Sequence, residues 1–285
     1  MPYFEAPRSA LLVNSLCGAD ANPRLRLIVD AVVRHLHAAI KETALTPEEW
    51  ITAISFLTRT GQMCDDKRQE FILLSDVLGI SMLVDALATQ RGPGATENTV
   101  LGPFYVSDAP RHENGADIRL EKKGEATLIE GTVTDLSGQP ISGANIEVWQ
   151  ADTDGFYDVQ RPATIPEGNL RGQFTSSEQG GYHFVTAKPL HYSIPCDGPV
   201  GELLDGLARP AIRPAHIHFI VSAPGFERVT THFFVDDCPY LQQDPVLGVK
   251  ASLIAEFRRP ACSHDSPEPG ATQWAARCDF ALSPK

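Results

Sequence analysis

The sequence predicts an α+β protein, with a helical domain and linker over residues 1–99 and a β-sandwich domain over residues 100–285. Apolar residues between about Asn22 and Gln90 recur at the spacing of one helix face. From Ala126 onward, apolar and polar residues alternate as they do in strands. Glycine and proline divide these short strands, and that pattern is typical of a β-sandwich.

Three helices account for the first pattern. The first begins at Pro23, where proline suits a first helical turn, and carries an apolar stripe to Ile40. The second begins after Thr46, a good N-cap residue, with Pro47 at its first position and acidic residues in its first turn. The third is predicted from Arg68 to Leu87, although Gly79 weakens it as a helix.

The second half of the chain is predicted to contain short strands. Gly180-Gly181 is predicted to turn a hairpin inside the third strand, and Pro224-Gly225 to separate the fourth from the fifth. The segment before the strands, residues 91–120, is rich in Gly, Pro and Asn and is interpreted as a linker, of which Val100–Tyr105 packs over the site. The strands cover Leu128–Thr134, Asn145–Gln150, Phe174–Val185, Ala215–Ser222, Arg228–Val235 and Ala276–Leu282.

Charge and hydropathy exclude several classes of function. A net charge of -12 argues against binding to nucleic acid, because that interaction needs a basic surface to neutralise phosphates. No apolar stretch reaches the length that spans a bilayer, and the first residues do not resemble a secretory leader. We therefore expect a cytoplasmic protein that is not a membrane protein.

Two histidines one residue apart, His216 and His218, are the strongest sign of chemistry in the sequence. In a strand, alternate side chains share a face, so both imidazoles are directed at one point and form half of a metal site. Tyr157 follows the strand-like run ANIEVWQAD, and Tyr192 lies in a loop punctuated by Pro and Gly. Two tyrosines and two histidines are thus predicted near strand ends in the β half of the chain.

These tyrosine segments, together with Gly102-Pro103-Phe104-Tyr105 and Arg213–His218, resemble the intradiol ring-cleavage dioxygenases. Members of this family are non-haem Fe(III) enzymes that open catechol-type rings between the two hydroxyl-bearing carbons. The resemblance implies one Fe(III) per subunit, held by Tyr157, Tyr192, His216 and His218. A tyrosine phenolate is a hard anionic donor that suits a cation of high charge, which agrees with this metal.

The resemblance also implies catalytic roles. Tyr192 occupies the position of the ligand that substrate displaces, and its released phenolate takes up a substrate proton. Arg213 matches the arginine that stabilises anionic charge near the reacting carbon. After Thr230-Thr231, catechol-specific members carry glutamine where this chain has His232. The sequence leaves open whether His232 binds substrate, hydrogen-bonds beside the metal ligands or packs in the core.

The substrate pocket implied by the family is a flat apolar slot that contains one carboxylate, Asp76. A carboxylate among apolar residues needs a partner, and a third hydroxyl on the ring would provide one. The expected substrate is therefore hydroxyquinol (1,2,4-trihydroxybenzene), opened with O2 to 3-hydroxy-cis,cis-muconate or maleylacetate; the alternative is catechol or chlorocatechol, opened to cis,cis-muconate. The pocket positions are Leu73, Asp76, Val100, Leu101, Gly102, Pro103, Phe104, Ile194, Pro195, Arg213, His232 and Val246.

Partners follow from the same resemblance. The family implies a homodimer formed through the N-terminal helices, with a lipid-like molecule trapped at the interface. A hypothesis from a different class remains open, namely a transthyretin-like binding module without metal. Iron content and a visible tyrosinate-to-Fe(III) band distinguish the enzyme from such a module.

Overall fold

The computed structural model describes residues 3–65, 68–88, 92–260 and 272–285. The helices are α1 Ser9–Ser15, α2 Pro23–Thr43, α3 Pro47–Gln62, α4 Glu70–Val77, α5 Ile80–Ala88 and α6 Pro199–Gly206. The strands are β1 Ala126–Asp135, β2 Asn145–Trp149, β3 Arg171–Thr175, β4 Gly181–Ala187, β5 Tyr192–Ser193, β6 Ile212–Arg213, β7 His216–Ser222, β8 Val229–Val235, β9 Ile254–Ala255, β10 Phe257–Arg258, β11 Trp274–Arg277 and β12 Phe280–Leu282. Helices followed by strands confirm the predicted α+β class.

The first two predicted helices are confirmed and begin at Pro23 and Pro47, as predicted; the Asn22 cap was not predicted. The Asn22 side chain accepts a hydrogen bond from the backbone N–H of Leu25 at 3.0 Å and caps α2. At the start of α3, Thr46 Oγ1 accepts from the N–H of Glu49, and the Glu49 carboxylate accepts from the N–H of Thr46. This reciprocal pair is a capping box, which satisfies two backbone donors that the helix itself leaves unbonded.

The prediction of one continuous third helix was wrong, because the segment is broken into two helices at Gly79. α4 ends at Val77, α5 begins at Ile80, and the two helices meet at a bend of 76°. Gly79 has φ 74°, a left-handed conformation that ends a helix and that glycine adopts without penalty. Among the described residues, no single helix has the length and apolar character to cross a membrane; the bent pair α4 and α5 passes that test only when taken together.

The chain divides into two compact units, Met1–Arg59 and Thr60–Lys285. Within the first unit α1 packs against α2, and the imidazole Nδ1 of His37 lies 2.9 Å from the hydroxyl of Ser9. The division falls inside α3, whereas the sequence places a boundary between residues 99 and 100. That boundary stays a prediction.

In the described part of the second unit, two five-stranded sheets face each other and a two-stranded sheet, β5-β6, lies apart from them in the strand order. One has the strand order β10-β11-β1-β12, with β4 also paired to β1; the other has the order β3-β2-β7-β8-β9. Buried residues of both sheets, among them Ile129, Phe184, Ile217, Phe219 and Phe233, form one apolar core. The predicted β-sandwich is therefore present, and β1, β2, β7 and β8 lie within one or two residues of their predicted bounds.

The hairpin predicted at Gly180-Gly181 was wrong. The turn itself exists, since the N–H of Gly180 donates to the carbonyl of Ser177 at 2.9 Å. However, β3 pairs with β2 and β4 pairs with β1, so the turn carries the chain from one sheet to the other. Turn residues and alternation predict a reversal, but they do not say which strand becomes the neighbour.

Candidate metal centre

Strand β7 directs its two histidines away from the sandwich core. Ile217 and Phe219 occupy the core face, so His216 and His218 lie on the opposite face of the same sheet. The register places His218 between Trp149 of β2 and His232 of β8. The Trp149 indole stacks on His218 with ring centroids 4.6 Å apart. This stacking fixes the plane of the imidazole.

Tyr157 reaches the histidines from the loop that follows β2. Asp152 Oδ1 accepts hydrogen bonds from the N–H groups of Asp154 and Phe156, which tightens the loop. Tyr157 then precedes a short 3-10 helix and is 1% exposed. Gly155, at φ 84°, lies so close to Tyr192 that an added Cβ would be 2.8 Å from the tyrosine Cβ. A glycine is required here because the backbone has a positive φ and the loop before Tyr157 packs directly against Tyr192.

Tyr192 is held on a two-stranded ribbon. β5 pairs with β6, and in this register Tyr192 lies opposite Arg213. His216 follows Arg213 by three residues, so the ribbon brings the arginine and the second tyrosine to the start of β7. Neither β5 nor β6 was predicted, because two-residue strands show no alternation.

The oxygen and nitrogen atoms of the four predicted ligands form a continuous cluster. Tyr157 Oη lies 3.2 Å from Tyr192 Oη and 3.0 Å from His218 Nε2. His218 Nε2 in turn lies 3.2 Å from His216 Nε2. Adjacent donor atoms around one metal, at bond lengths of about 2.0–2.1 Å, are about 3 Å apart, so this spacing suits a single ion.

The protonation of the cluster also suits a metal. His216 Nδ1 lies 2.6 Å from the carbonyl of Pro214, so Nδ1 donates there and Nε2 presents a lone pair to the cluster. Burial lowers the pKa of His216 and of His218 well below the ordinary value, so both imidazoles are neutral. Burial, with Tyr192 beside it, raises the pKa of Tyr157 well above the ordinary value. A bound cation would therefore be needed to make Tyr157 a phenolate.

Arg213 borders this cluster and is 4% exposed. Its Nη1 lies 3.2 Å from His216 Nε2, and its Nε donates to Asp244 Oδ1 at 3.3 Å. Nη2 is buried and has no hydrogen-bond partner among the described residues. Burial opposes the charged form, but Asp244, Tyr192 and Tyr157 together outweigh it and raise the pKa of Arg213, so the guanidinium is a fixed cation.

His232 lies against both histidines of β7, with ring centroids 4.9 Å from His216 and 4.2 Å from His218. The three histidines alone have nitrogen atoms within 4.8 Å of one another, a looser set than the four atoms joined at 3.0–3.2 Å. His232 Nδ1 is hydrogen-bonded to the hydroxyl of Thr99 at 2.5 Å, whereas Nε2 is buried without a partner in the described chain. His232 therefore borders the four predicted ligands and keeps one nitrogen free.

The predicted pocket residues fall into two groups. Besides Arg213 and His232, four lie at or near the cluster: Gly102 against His218, Phe104 with its ring 4.7 Å from that of Tyr157, Asp76 in the electrostatic range of Arg213, and Val246 two residues after Asp244. The other six differ in burial. Ile194 is buried and follows β5, Leu73 and Val100 are partly buried, and Leu101, Pro103 and Pro195 are exposed. Their contact with substrate stays a prediction.

Several residues around the cluster were not predicted. The Trp149 ring contacts His218, the Thr99 hydroxyl contacts His232, and the Asp244 carboxylate contacts Arg213. Beside Tyr157, the carboxylate of Asp158 accepts from Arg171 Nε at 2.7 Å in a buried ion pair. Strand register and loop closure create all of these contacts, and neither can be inferred from residue spacing. The position of Trp149 in a predicted strand was the one available signal.

Gly102→Ala is expected to disturb His218. Gly102 has φ 77°, and an added Cβ would lie 2.9 Å from His218 Cε1. We expect about a 10- to 100-fold loss of metal affinity, the range seen when the support of a metal ligand is removed. Gly138→Ala is the matched control, because Gly138 has φ 83° and open space around it. Metal content after dialysis checks the prediction, and equal retention by both variants would contradict it.

The fold agrees with comparisons to known proteins. The family model described as "Dioxygenase" matches residues 100–284, and the one described as "Catechol dioxygenase N terminus" matches residues 22–96. The hydroxyquinol 1,2-dioxygenase of a Rhizobium species is 49% identical over 99% of this chain and 96% of its own length. The 6-chlorohydroxyquinol 1,2-dioxygenase of Cupriavidus pinatubonensis is 50% identical over 84% of this chain and 86% of its own.

A solved structure gives the same agreement. The hydroxyquinol 1,2-dioxygenase of Pseudomonas putida superposes with a TM-score of 0.89 at 42% identity, covering 98% of this chain and 100% of that one.

Proposed function

Because the chain belongs to the intradiol ring-cleavage dioxygenases, we propose that it opens hydroxyquinol with O2 to 3-hydroxy-cis,cis-muconate, the enol form of maleylacetate. Both oxygen atoms of O2 enter the product. The observation that carries the proposal is the cluster of two tyrosine oxygens and two histidine nitrogens linked at 3.0–3.2 Å. We further assign the helical domain and linker to residues 1–99 and the catalytic domain to residues 100–285.

The proposed cofactor is one Fe(III) per subunit, bound by Tyr157, Tyr192, His216 and His218. Two phenol oxygens and two neutral imidazoles match a ferric ion better than Zn²⁺ or Mg²⁺, since phenolates are hard anionic donors. When bound, the ion supplies a Lewis-acidic centre at which the diol is held as its dianion and becomes reactive toward O2.

The two tyrosines are assigned different tasks. Tyr157 is fully buried and fixed by its neighbours, so it stays in place and contributes charge. Tyr192 is the more exposed of the pair and lies on a short ribbon, which suits a residue that moves aside for substrate. Its oxygen then accepts one of the two protons that the diol loses, which is general-base catalysis by a released ligand, and the second proton passes to solvent.

The remaining side chains orient the ring and balance its charge. Phe104 covers the Tyr157 ring and provides a flat apolar wall. Arg213 offers its unpartnered Nη2 to anionic oxygen that develops as the ring opens. His232, whose ring lies beside His216 and His218 and whose buried Nε2 has no partner in the described chain, is assigned a hydrogen bond to substrate.

Asp76 is assigned the selection of hydroxyquinol over catechol. Its carboxylate is buried on α4 and accepts a hydrogen bond from Ser81, and burial raises the pKa of Asp76 above its ordinary value. A ring with a hydroxyl opposite one of the two reacting oxygens can donate to this carboxylate, whereas catechol cannot. The names of the relatives support the same choice of ring.

The test is oxygen uptake by purified, iron-loaded protein given hydroxyquinol and catechol side by side, with the ultraviolet spectrum of each product. Iron-free protein is the control. Fast uptake on hydroxyquinol with maleylacetate as product is expected. A preference for catechol with cis,cis-muconate as product would contradict the substrate, and uptake on neither diol would favour a metal-free binding module.

The N-terminal helices are assigned to a homodimer with one lipid-like molecule at the interface. α2 contains no buried residue, and its apolar stripe, including Leu25, Val32 and Leu36, is exposed. Such a surface is typical of an interaction site. Native mass spectrometry is expected to show twice the chain mass plus a lipid, and Leu36→Glu to shift the protein toward monomer. A wild-type monomer at all concentrations would contradict the assignment.

A further inference from the structure

Arg213 is anchored at one end and free at the other. Its Nε donates to Asp244, its Nη1 approaches His216 Nε2, and its Nη2 has no partner among the described residues although the side chain is buried. A guanidinium is planar, so fixing one nitrogen in the plane determines where the others point. The position of Nη2 therefore depends on whatever holds Nε.

Asp244 is itself fixed by the loop that contains it. Its Oδ2 accepts from the N–H of Gly248 at 2.9 Å, and its Oδ1 accepts from the N–H of Val246 at 3.4 Å. The Asp244 side chain is 2% exposed and the Arg213 side chain is 5% exposed. Within the described chain, Asp244 is the acceptor of the Nε hydrogen bond, so its removal would leave a buried cation free to turn.

Gly248 keeps the space beside this pair open. An added Cβ at Gly248 would lie 3.1 Å from Asp244 Oδ2 and 3.4 Å from Arg213 Nη2. Gly248 does not have a positive φ, so the backbone itself does not require glycine. The absence of a side chain leaves room beside Nη2 instead.

We propose that Asp244 is a positioning residue that holds the Arg213 guanidinium so that Nη2 meets the negative charge that develops on the substrate. This role rests on the proposed function, since it acts through Arg213 on the ring-opening step. Among the described residues, Asp244 hydrogen-bonds to Arg213, Val246 and Gly248 rather than to the predicted metal ligands, so it would act through Arg213. Its effect is expected in kcat, because the charge that Arg213 stabilises is larger in the transition state than in bound substrate.

A purely structural role would have a different signature. If Asp244 served only to shape the 244–248 loop, its loss would misplace Val246, a predicted pocket residue, and would raise KM. Asp244→Asn separates the two roles. The amide oxygen can still accept from a loop N–H, but the charge is lost and the amide NH2 cannot accept from Arg213 Nε.

The experiment is a double-mutant cycle in iron-loaded protein, comparing wild type, Asp244→Asn, Arg213→Ala and the double variant on hydroxyquinol. We expect Asp244→Asn to lower kcat by about 10- to 100-fold with little change in KM, within the range for losing one preorganised charge contact. The double variant should be no slower than Arg213→Ala alone. Iron content and the visible spectrum should match those of wild type in all four proteins.

Asp117→Asn is the matched control, since Asp117 also holds an arginine, Arg119, and accepts a backbone N–H, but lies outside the cluster. Gly248→Ala is a second variant that crowds the pair without removing a charge, and it should show the same kcat-selective loss if Asp244→Asn fails to fold. Independent, multiplicative losses in the cycle would overturn the proposal, as would a rise in KM with unchanged kcat. Wild-type protein that binds iron but consumes no O2 with either diol would instead refute the proposed function itself.

Discussion

Replacing Tyr157 with phenylalanine is expected to remove or shift the visible band of the iron-loaded protein and to lower kcat by more than about 100-fold. Loss of an outer partner of a metal ligand already costs about 10- to 100-fold, so loss of an anionic ligand costs more. Burial raises the pKa of Tyr157, so its phenolate form depends on the metal, and the colour reports that bond directly. Absorption spectra and oxygen uptake measure the two effects.

Tyr182→Phe is the control for this substitution. Tyr182 is equally buried, burial also raises its pKa, and its hydroxyl donates to the carbonyl of Cys278 at 2.6 Å, outside the donor cluster. The Tyr182 variant should be less stable but keep its colour and its rate per bound iron. Unchanged colour and rate in the Tyr157 variant would remove Tyr157 from the ligand set.

Asp76→Asn is expected to reduce the preference for hydroxyquinol over catechol, measured as the ratio of kcat/KM values, by about 10- to 100-fold. This corresponds to the loss of one hydrogen bond to a charged acceptor, about 1.5–3 kcal/mol. Activity on catechol is the internal control, because catechol has no third hydroxyl to donate to this position. An unchanged ratio would mean that Asp76 does not select the substrate.

The pH dependence gives a second test of Asp76. Burial raises the pKa of Asp76, so the carboxylate is ionised above that raised value and is lost as the pH falls through it. The acidic limb of kcat/KM for hydroxyquinol should therefore lie at a higher pH than an ordinary aspartate would give. Asp76→Asn should abolish this limb, whereas a limb that persists in the variant would belong to another group.

Sequence patterns were informative about individual elements of this fold. Pro23 and the capping residue Thr46 predicted where α2 and α3 begin, and alternation located the longer strands. The break at Gly79 was signalled by the glycine but not by the apolar stripe, which continues through it. The short strands β5 and β6 and the helices α1 and α6 have too few residues to show a period.

In the site, too, residue patterns do not predict which distant residues come into contact. The H-x-H pattern predicts that His216 and His218 share a face, and the family resemblance adds the two tyrosines. Neither can predict that Trp149 stacks on His218 or that Asp244 holds Arg213, because those contacts depend on strand register and on a loop that closes over a distance. Contact of Leu101 and Pro195 with substrate also stays a prediction.

The most direct test of this account is the iron content of the purified, reconstituted protein, measured together with its visible absorption and resonance Raman spectra. We predict one iron per chain, with a charge-transfer band whose Raman excitation enhances tyrosinate vibrations. Iron bound without tyrosinate vibrations, or oxygen uptake on hydroxyquinol by protein that contains no iron, would contradict a ferric site built from Tyr157, Tyr192, His216 and His218.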